Sequence, residues 1–591
     1  MPVKKRKASD SPLPDGTRRQ SGSSWTSSRS QPDLRRPHPN AQQAEDFGIV
    51  LRDFYPPEMN NERCYAYNEG ILERPIETLQ RAHRETAGQC KNVQPGKAVV
   101  HWFKSDLRLQ DNRSLHKAYS LARNYDIPLI CIYIFSPEDL TAHLCSRPRV
   151  DLILRTLAIL KSDLEKQDIP LYMETQEKRK DIPKRIVELC KQWGANQIFT
   201  NLEYEVDELR REAKIVRLCA RQGIIFDTED DTCVVAPGDL STQQGKQYAV
   251  YTPWYRSWVA FLMEHPENLE LVDAPTRNAG DARKHFEELF HSQVPEAPTY
   301  MQLSDSESQR FREMYPAGEH EADRRLKEFL AKRGNQYHEN RDFMSSQTTS
   351  VLSPYFSCGS LSARAAICMA QEANVHWPYI CMNKCLNPEF TNLEWEYDLA
   401  QFNAWCEGKT GFPIVDAAMR QLKHSAWMHN RTRMIVSSFL SKDLLIDWRL
   451  GEQFFMKHLI DGDFASNHGG WGFGSSTGVD PQPYFRIFNP LRQSERFDPN
   501  GDYIRHWVPE LRNIEGSAIH DPYGRGARET AEKNGYPRPI VNHSESRSKA
   551  LERYKKASHV RVIPIQTGSD SFNIALLASS TYTLASSFGD S

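Results

Sequence analysis

The chain has 591 residues, of which 39% are hydrophobic and 10% aromatic, enough to bury the cores of several domains. Its formal net charge of −2 excludes an overall basic surface, so contact with nucleic acid must come from local patches. No run of about 18 apolar residues occurs, the N-terminus lacks the apolar core of a secretory signal, and the 12 scattered cysteines lack the spacing of a zinc site. We therefore expect an intracellular protein without membrane contact and without a bound metal.

The first 96 residues are predicted to be a disordered basic extension. Residues 1–40 contain nine Lys or Arg against three Asp, with many Ser and Pro and few aliphatic residues, a composition that buries too little apolar surface to fold. The cluster from Lys4 to Lys7 resembles a nuclear-import signal and predicts the nucleus, although a charge run is by default only a solvated segment. Because the tail is also rich in Ser and Arg and poor in acid, the mitochondrion stays open as an alternative.

Residues 97–240 are predicted to form an α/β domain with a Rossmann-like parallel sheet. Short apolar runs alternate there with helical stretches, and this alternation indicates parallel strands covered by helices. The expected strands are 99–103, 129–135, 171–173, 197–201 and 224–227. A polar stretch follows, and we interpret residues 241–319 as an interdomain linker.

The region 320–556 shows almost only helical periodicity and predicts an all-α domain, followed by a disordered Ser-rich tail at 557–591. Its most informative stretch runs from 427 to 490, where arginines, aspartates, asparagines and tryptophans alternate with apolar residues. A plain core avoids this pattern because buried polar groups need partners. The stretch therefore indicates that the helical domain holds a large polar ligand.

Four long motifs identify the family that the chain resembles: HWFKSDLRLQDNRSL at 101–115, GKTGFPIVDAAMRQL at 408–422, WMHNRTRMIVSSFLSKDLLIDWR at 427–449 and DGDFASNHGGWGFGSSTG at 461–478. They resemble the DNA photolyase and cryptochrome family, most closely the class I cyclobutane pyrimidine dimer (CPD) photolyases. The resemblance implies an α/β antenna domain, a helical domain that binds FAD, and a monomer that acts on DNA containing cyclobutane pyrimidine dimers. Its reaction would be that of a deoxyribodipyrimidine photo-lyase, which splits the dimer by electron transfer from photoexcited FADH⁻.

By this resemblance, FAD contacts three segments of the helical domain. In TTSVLS at 348–353, hydroxyl residues precede a helical pattern, where backbone N–H groups favour a pyrophosphate, although such a start is by itself more often an N-cap. Arg433 would pair with Asp461 beside the isoalloxazine, and the neutral amide of Asn467 would face flavin N5, where an acid would repel the reduced anion. The implied FAD contacts are Tyr337, Thr349, Ser350, Val351, Leu352, Ser353, Arg433, Asp461, Gly462, Asp463 and Asn467.

Three tryptophans, Trp395, Trp448 and Trp471, match the chain through which an excited flavin of the family draws electrons from the surface. Tryptophans in helical proteins are mostly packing residues, but here all three family positions are filled. Asn430 and Met434 stand where (6-4) photolyases carry histidines for proton donation, and a cyclobutane needs only an amide and a thioether there. The implied lesion is therefore the cyclobutane dimer, flipped out of the duplex. The implied DNA contacts are Arg341, Asn430, Arg431 and Gln493.

The antenna pigment is implied to be 5,10-methenyltetrahydrofolate, with 8-hydroxy-5-deazaflavin as the alternative. Asp207 and Glu208, in YEVDELRRE, match acidic or amide groups that bind the pterin in folate-type members. Cys381 matches another position of the same groove. Carboxylates at a helix start are more often partners of the helix dipole, so both interpretations stand at this point.

One departure from the family pattern concerns the lesion pocket. Residues 361–374 (LSARAAICMAQEAN) run directly into 375–384 (VHWPYICMNK), whereas the family places between them a helix of the type W-x-x-E-x-x-W-R-[DE]-F-Y. That helix would supply a glutamate and a tryptophan for the dimer and an arginine near the flavin. Because the loss of a core helix exposes the apolar surface that faced it, we expect this chain to bind FAD poorly and to repair little.

Two other functions fit the same residues. A cryptochrome-like blue-light receptor would use the same flavin and tryptophans to change conformation for a partner, with or without residual repair. A non-enzymatic binder of damaged DNA would keep the phosphate contacts without catalysis. Asn430, Met434 and Asn467 together favour dimer repair over both.

Overall fold

The computed structural model describes residues 41–48, 71–243, 245, 248, 251–345, 348–372, 393–478 and 487–559. The import cluster Lys4–Lys7, the thiol of Cys381 and the junction between 374 and 375 lie outside these ranges. Among the helices that the structure describes, none is long and apolar enough to cross a membrane.

The α/β domain is built on a five-stranded parallel sheet with the strand order β3-β2-β1-β4-β5. Its strands are β1 (Ala98–Phe103), β2 (Leu129–Phe135), β3 (Leu171–Thr175), β4 (Ala195–Asn201) and β5 (Ile225–Glu229). Every residue of β1 and β2 is buried, because helices cover both faces of the sheet. The predicted fold class is confirmed, and each predicted strand is present within two residues of its expected bounds.

The α-helices, in chain order, are α1 (Ala41–Asp46), α2 (Pro75–Cys90), α3 (Arg113–Asn124), α4 (Pro137–Ala142), α5 (Arg147–Glu165), α6 (Ile182–Trp193), α7 (Val206–Ala220), α8 (Tyr251–Glu264), α9 (Ala282–His285), α10 (Glu287–Phe290), α11 (Asp305–Met314), α12 (Glu319–Lys332), α13 (Tyr337–Asn340), α14 (Ser353–Ser357), α15 (Ala363–Glu372), α16 (Leu399–Glu407), α17 (Pro413–Ser425), α18 (Asn430–Ser438), α19 (Trp448–His458), α20 (Phe464–Gly474), α21 (Pro490–Phe497), α22 (Asp502–Trp507), α23 (Arg528–Lys533) and α24 (His543–His559). A π-helical turn, Phe439–Asp443, continues α18.

The N-terminal extension is not wholly disordered, which corrects the prediction for residues 1–96. Helix α2 packs along α7, with Leu79 and Ala82 buried in the core on one side of the sheet. Apolar residues three positions apart give α2 one apolar face, a local pattern that the polar composition of residues 1–40 does not reveal. Helix α1 contributes Ala44 to the core of the helical domain, and Phe47 packs edge-on against Tyr397.

The segment predicted as a linker, 241–319, is packed structure in its described part. It contains α8 to α11, and Met301 and Phe311 are buried in the core of the α/β domain. The helical domain then runs from α12 to α24 around a core that includes Trp405 and Trp471. The domain order expected from the sequence is therefore present, with a connection that adds to the α/β core.

A buried ionic network joins the two domains. Arg364 of α15, which is fully buried, bonds to both Asp111 and Asp231 of the α/β domain, and Arg108 also bonds to Asp231. Buried charges are tolerated only when they are paired in this way. The network fixes α15, the last described helix before the departure from the family pattern, against the α/β domain.

Candidate functional site

An ion pair between α18 and the start of α20 forms the centre of the site. Arg433 donates from Nη2 to Asp461 Oδ2 at 2.7 Å and from Nε to the Met428 carbonyl oxygen at 2.8 Å. The Asp461 side chain is only 2% exposed, and its Oδ1 has no hydrogen-bond partner among the described residues. A buried carboxylate oxygen without a partner is costly. The pair that the resemblance implies is therefore present, with one acceptor oxygen available to a ligand.

The amide of Asn467 is oriented by a residue that the sequence did not single out. Its Nδ2 donates to the Glu452 backbone oxygen at 3.0 Å and to Glu452 Oε1 at 3.2 Å. Glu452 is buried in α19. Because both contacts use the amide nitrogen, the amide oxygen is the atom that Asn467 can present to a ligand as an acceptor.

The predicted pyrophosphate segment is a loop that ends in a short helix. Val351 adopts a positive φ of 51°, and Ser353 begins α14, which has only five residues. Trp427 Nε1 donates to Ser353 Oγ at 3.1 Å, and Arg333 donates to the Thr349 carbonyl oxygen at 3.3 Å. The loop is thus held between α12 and the start of the motif at 427. A five-residue helix has a small dipole, so backbone N–H groups and hydroxyls are the main anion-binding groups here.

The remaining residues of the implied FAD set lie around these two regions. Tyr337 begins α13 and packs edge-on against Phe329 at 5.3 Å, and burial raises the pKa of Tyr337. Leu352 is buried, and Ser350 is partly buried beside it. Gly462 is buried, whereas Asp463 is exposed and caps α20 by accepting from the Ser466 N–H at 2.7 Å.

The three predicted tryptophans all lie in the core of the helical domain, between 2% and 6% exposed. Trp471 is packed edge-on against Trp405 and Phe455, with ring centroids 6.0 Å and 5.1 Å from its own. A β-bridge between Glu396 and Ile446 brings the segment of Trp395 alongside the segment that leads to Trp448. The ring of Trp395 packs edge-on against that of Tyr554 in α24, with 6.4 Å between the ring centroids.

The predicted lesion and DNA residues lie on one face near the start of α18. Asn430 is exposed at the first position of this helix, and Met434 is partly buried one turn later. Arg341 is exposed, whereas Arg431 forms a 2.6 Å ion pair with Asp342. Gln493, the remaining predicted DNA contact, lies on α21. Its buried Oε1 has no hydrogen-bond partner among the described residues.

The predicted antenna acids belong to a dense charged cluster at the carboxyl edge of the sheet. Asp207 pairs with Arg179 at 2.7 Å, and Glu208 contacts His143 at 3.1 Å. Burial raises the pKa of Glu208 to about 8, despite the hydrogen bond from His143. Donor atoms of Asp139, His143, Asp207 and Glu208 lie within 4.8 Å of one another, an arrangement that could hold a metal. Since Arg179 also pairs with Asp139 at 2.8 Å, the arginine already balances these charges, and we assign no metal there.

Sequence reasoning missed three partners of these residues: Glu452, Asp342 and His143. Glu452 lies three residues after the motif at 427–449 and Asp342 directly follows Arg341, but an acidic residue is by default a solvated one. His143 is a single histidine, 64 positions before Asp207 in the chain. Only the fold brings it to the antenna acids.

The family is decided by comparison with known proteins. A family model described as DNA photolyase matches residues 99–273, and one described as the FAD binding domain of DNA photolyase matches residues 360–556. A deoxyribodipyrimidine photo-lyase from Neurospora crassa is 52% identical over 565 residues, which cover 88% of this chain and 92% of the relative. The chain belongs to the DNA photolyase family.

Solved photolyase and cryptochrome structures share its fold. A bacterial class III photolyase from Agrobacterium tumefaciens is 31% identical with a TM-score of 0.67, covering 78% of this photolyase and 97% of that chain. A cryptochrome from Synechocystis sp. PCC6803 is 25% identical with a TM-score of 0.65, and the match covers 77% of this chain and 98% of the cryptochrome. The expected recognition is confirmed, and the cryptochrome likeness is the weaker of the two.

The alignment with the Neurospora photo-lyase contains gaps in this photolyase. It extends over 565 positions, while 88% of the 591 residues here is about 520. Some aligned positions therefore have no residue in this chain.

Proposed function

We propose that the function of this chain is DNA repair by light-driven splitting of cyclobutane pyrimidine dimers, with FAD as its redox cofactor, and that the segment missing after residue 374 reduces this activity in the chain as it stands. The observation that carries the proposal is buried Asp461, paired to Arg433 through Oδ2 while Oδ1 has no partner among the described residues. A large polar cofactor with N–H donors would satisfy this oxygen, and the paired arginine offsets the cost of its charge. The identity to proteins named deoxyribodipyrimidine photo-lyase supports the same function.

Each group of residues has a distinct task in this proposal. When bound, FAD supplies an electron to the dimer on excitation by light and recovers it after the ring opens. Asn467, oriented by Glu452, accepts a hydrogen bond through its amide oxygen without adding a negative charge. Asn430 and Met434, exposed and partly buried on α18, support the two pyrimidines. The low exposure of the buried tryptophans keeps water away from the electron path.

Measurement of repair in two forms of the chain tests this function and the role of the segment missing after residue 374. The first form is the chain as it stands, and the second carries the corresponding segment of the Neurospora relative. We expect the first to hold little flavin after purification and the second to hold it and reverse thymine dimers under blue light. Photoreversal is followed against a dark control. Failure of the restored form to repair would refute the function, and full repair by the short form would refute the role of the segment.

The light-receptor alternative makes a different prediction. A receptor needs the flavin and tryptophans but not the dimer contacts, so a repair-deficient Asn430→Ala variant that retains flavin would still alter gene expression in light. We expect no such response. A light response in this variant would establish signalling beside repair.

We propose 5,10-methenyltetrahydrofolate as the antenna, with deazaflavin as the alternative. Support comes from the carboxyl edge of the sheet, where Arg179, Asp207 and Glu208 form a buried ionic cluster, so a ring system buried there would have to separate these charges. An exposed pterin site therefore suits this chain better than a buried flavin-like one. The absorbance of the purified restored form distinguishes a near-ultraviolet pterin band from a visible deazaflavin band.

We also propose that the protein acts in the nucleus, as a monomer on DNA. The basis for the nuclear location is the basic sequence from Lys4 to Lys7. The monomer is what the family resemblance implies. A fluorescent fusion in which this cluster is changed to alanines should lose nuclear accumulation. Mitochondrial fluorescence of the unaltered fusion would favour the alternative location.

A further inference from the structure

The guanidinium of Arg431 is restrained by two contacts. Its Nη2 lies 2.6 Å from Asp342 Oδ2, its plane lies over the Phe497 ring with the central carbon 4.3 Å from the ring centroid, and its Nε is buried without a partner among the described residues. The side chain of Arg431 is 18% exposed and that of Asp342 is 28% exposed. The arginine is therefore already paired, stacked and largely desolvated before any DNA binds.

The neighbouring arginines Arg341, Arg492 and Arg496 differ from Arg431 in their pairing and exposure. Arg496 lies over the same Phe497 ring at 5.2 Å, but within the described part of the chain no ion pair joins Arg496, Arg492 or Arg341 to an acid. All three are exposed. On this face, Arg431 thus differs from the other arginines in carrying its own counter-charge.

We propose that Asp342 is a specificity-determining residue, which makes Arg431 a directional contact to damaged DNA and suppresses its attraction for undamaged DNA. The inference rests on the proposed function, because it takes Arg431 as a DNA contact. Non-specific binding depends on the number of phosphates that cationic groups neutralise, through the release of condensed counterions. An arginine whose charge is balanced by an internal carboxylate adds almost nothing to this term.

What Arg431 retains is the geometry of its remaining N–H groups. The contact with Phe497 and the bond to Asp342 restrain the guanidinium, so its Nη1, which has no hydrogen-bond partner among the described residues, offers its two N–H donors only at a fixed position. Only a phosphate placed at that point can accept, as in a backbone distorted around an extruded dimer. Binding to a regular duplex is strengthened neither by the charge of Arg431 nor by a hydrogen bond from it. Asp342 therefore increases the discrimination between damaged and undamaged DNA rather than the affinity for DNA.

The test is the salt dependence of binding by the Asp342→Asn variant of the full chain in the dark. Asparagine keeps an oxygen for Arg431 and removes the charge. Fluorescence anisotropy is measured with an undamaged duplex and with the same duplex carrying one thymine dimer, from roughly 50 to 200 mM salt. We expect binding to the undamaged duplex to tighten about 3- to 10-fold at the low-salt end, with a log–log slope steeper by about 0.9. Binding to the dimer duplex should tighten less, so the ratio of the two affinities, which measures the preference for damaged DNA, should fall.

A matched control separates this effect from a change in net charge. Glu495 lies on α21 next to Arg496 and Phe497, and it pairs with Arg525 at 2.6 Å. Glu495→Gln therefore removes one negative charge from the same region without freeing Arg431. An equal steepening of the slope in both variants would overturn the proposal, as would an unchanged or weaker binding of undamaged DNA by Asp342→Asn.

Two further arms identify the source of any change. Adding Arg431→Gln to Asp342→Asn should cancel the gain in slope, and persistence of the gain would overturn the role of Arg431. Asp342→Ser repeats the measurement if the asparagine variant is poorly folded by circular dichroism. If neither the unaltered protein nor the restored form shows a preference for the dimer duplex, the proposed function fails, while the slope on undamaged DNA still decides whether Asp342 balances Arg431.

Discussion

The packing of Trp471 leaves no room for a side chain at Gly451 in the helical domain. Gly451 lies in α19, and a Cβ at this position would stand 2.1 Å from Cη2 and 2.5 Å from Cζ3 of Trp471. An ordinary carbon–carbon contact is about 3.5–4.0 Å, so Gly451→Ala forces the indole to retreat by more than one ångström. The ring has little room, because it is 2% exposed and lies against Trp405 and Phe455.

Overpacking of this kind costs about 1–3 kcal/mol, even though alanine in a helix interior is otherwise favoured over glycine by about 1 kcal/mol. For a domain of this size the loss corresponds to a thermal midpoint lower by roughly 3–10 °C. Thermal unfolding followed by near-ultraviolet circular dichroism measures both the midpoint and the altered tryptophan environment. In the restored form, flavin photoreduction should also slow, because the displaced indole belongs to the tryptophan chain that the resemblance implies.

Gly88 provides the control, since it is exposed in α2 with no atom within 4 Å of an added Cβ. Gly88→Ala should leave the thermal midpoint unchanged or raise it slightly. A Gly451→Ala variant that unfolds at the same temperature as the unaltered protein, with the same near-ultraviolet spectrum, would refute the argument. Such a result would mean that the indole and the helix adjust without cost.

Three more predictions concern buried charges. Asp461→Asn removes the charged partner of Arg433 and should weaken flavin binding by about 10-fold or more, measured by FAD titration of the restored form; an unchanged Kd would contradict the assignment. Burial lowers the pKa of Lys442 to about 7, so above that pH the unfolded chain binds a proton that the folded protein lacks, and stability in urea should rise from pH ~7 to ~9. Lys442→Met should flatten this rise, and an unaltered pH profile would show that another group causes it. Arg364→Met leaves Asp231 buried without that partner and should cost about 3–5 kcal/mol; an unfolding midpoint within error of the unaltered protein would contradict the role of the interdomain network.

The strands and the domain order could be predicted because each depends on a local pattern. A run such as residues 129–135 is apolar throughout, and only a strand covered on both faces buries every position. Helix α2 escaped prediction for the opposite reason: its apolar face is narrow, and the composition of the preceding 40 residues is that of a solvated tail. The helices at 251–314 were missed because their apolar residues pack against distant segments, such as Phe311 in the core of the α/β domain and Leu262 beside Val234 and Val235, and form no clear period alone.

The site shows the same division. The resemblance gave Arg433, Asp461 and Asn467, because the motifs that contain them are long and contiguous. Nothing local indicated that Asn467 is oriented by Glu452, 15 positions earlier, or that Arg431 is paired with Asp342, 89 positions earlier. Contacts over such separations depend on how the helices pack against one another.

The sequence by itself determined the family and the α/β and helical domains, and it predicted the residues of a flavin site, because these follow from periodicity and from motifs read along the chain. The tertiary structure decided which charges are balanced internally: Arg431 by Asp342, the antenna acids by Arg179 and His143, and Arg364 by Asp111 and Asp231. The physical reason is that the energy of a charge depends on its burial and on its nearest opposite charge. Both quantities are set by distances in space that have no counterpart in the order of residues along the chain.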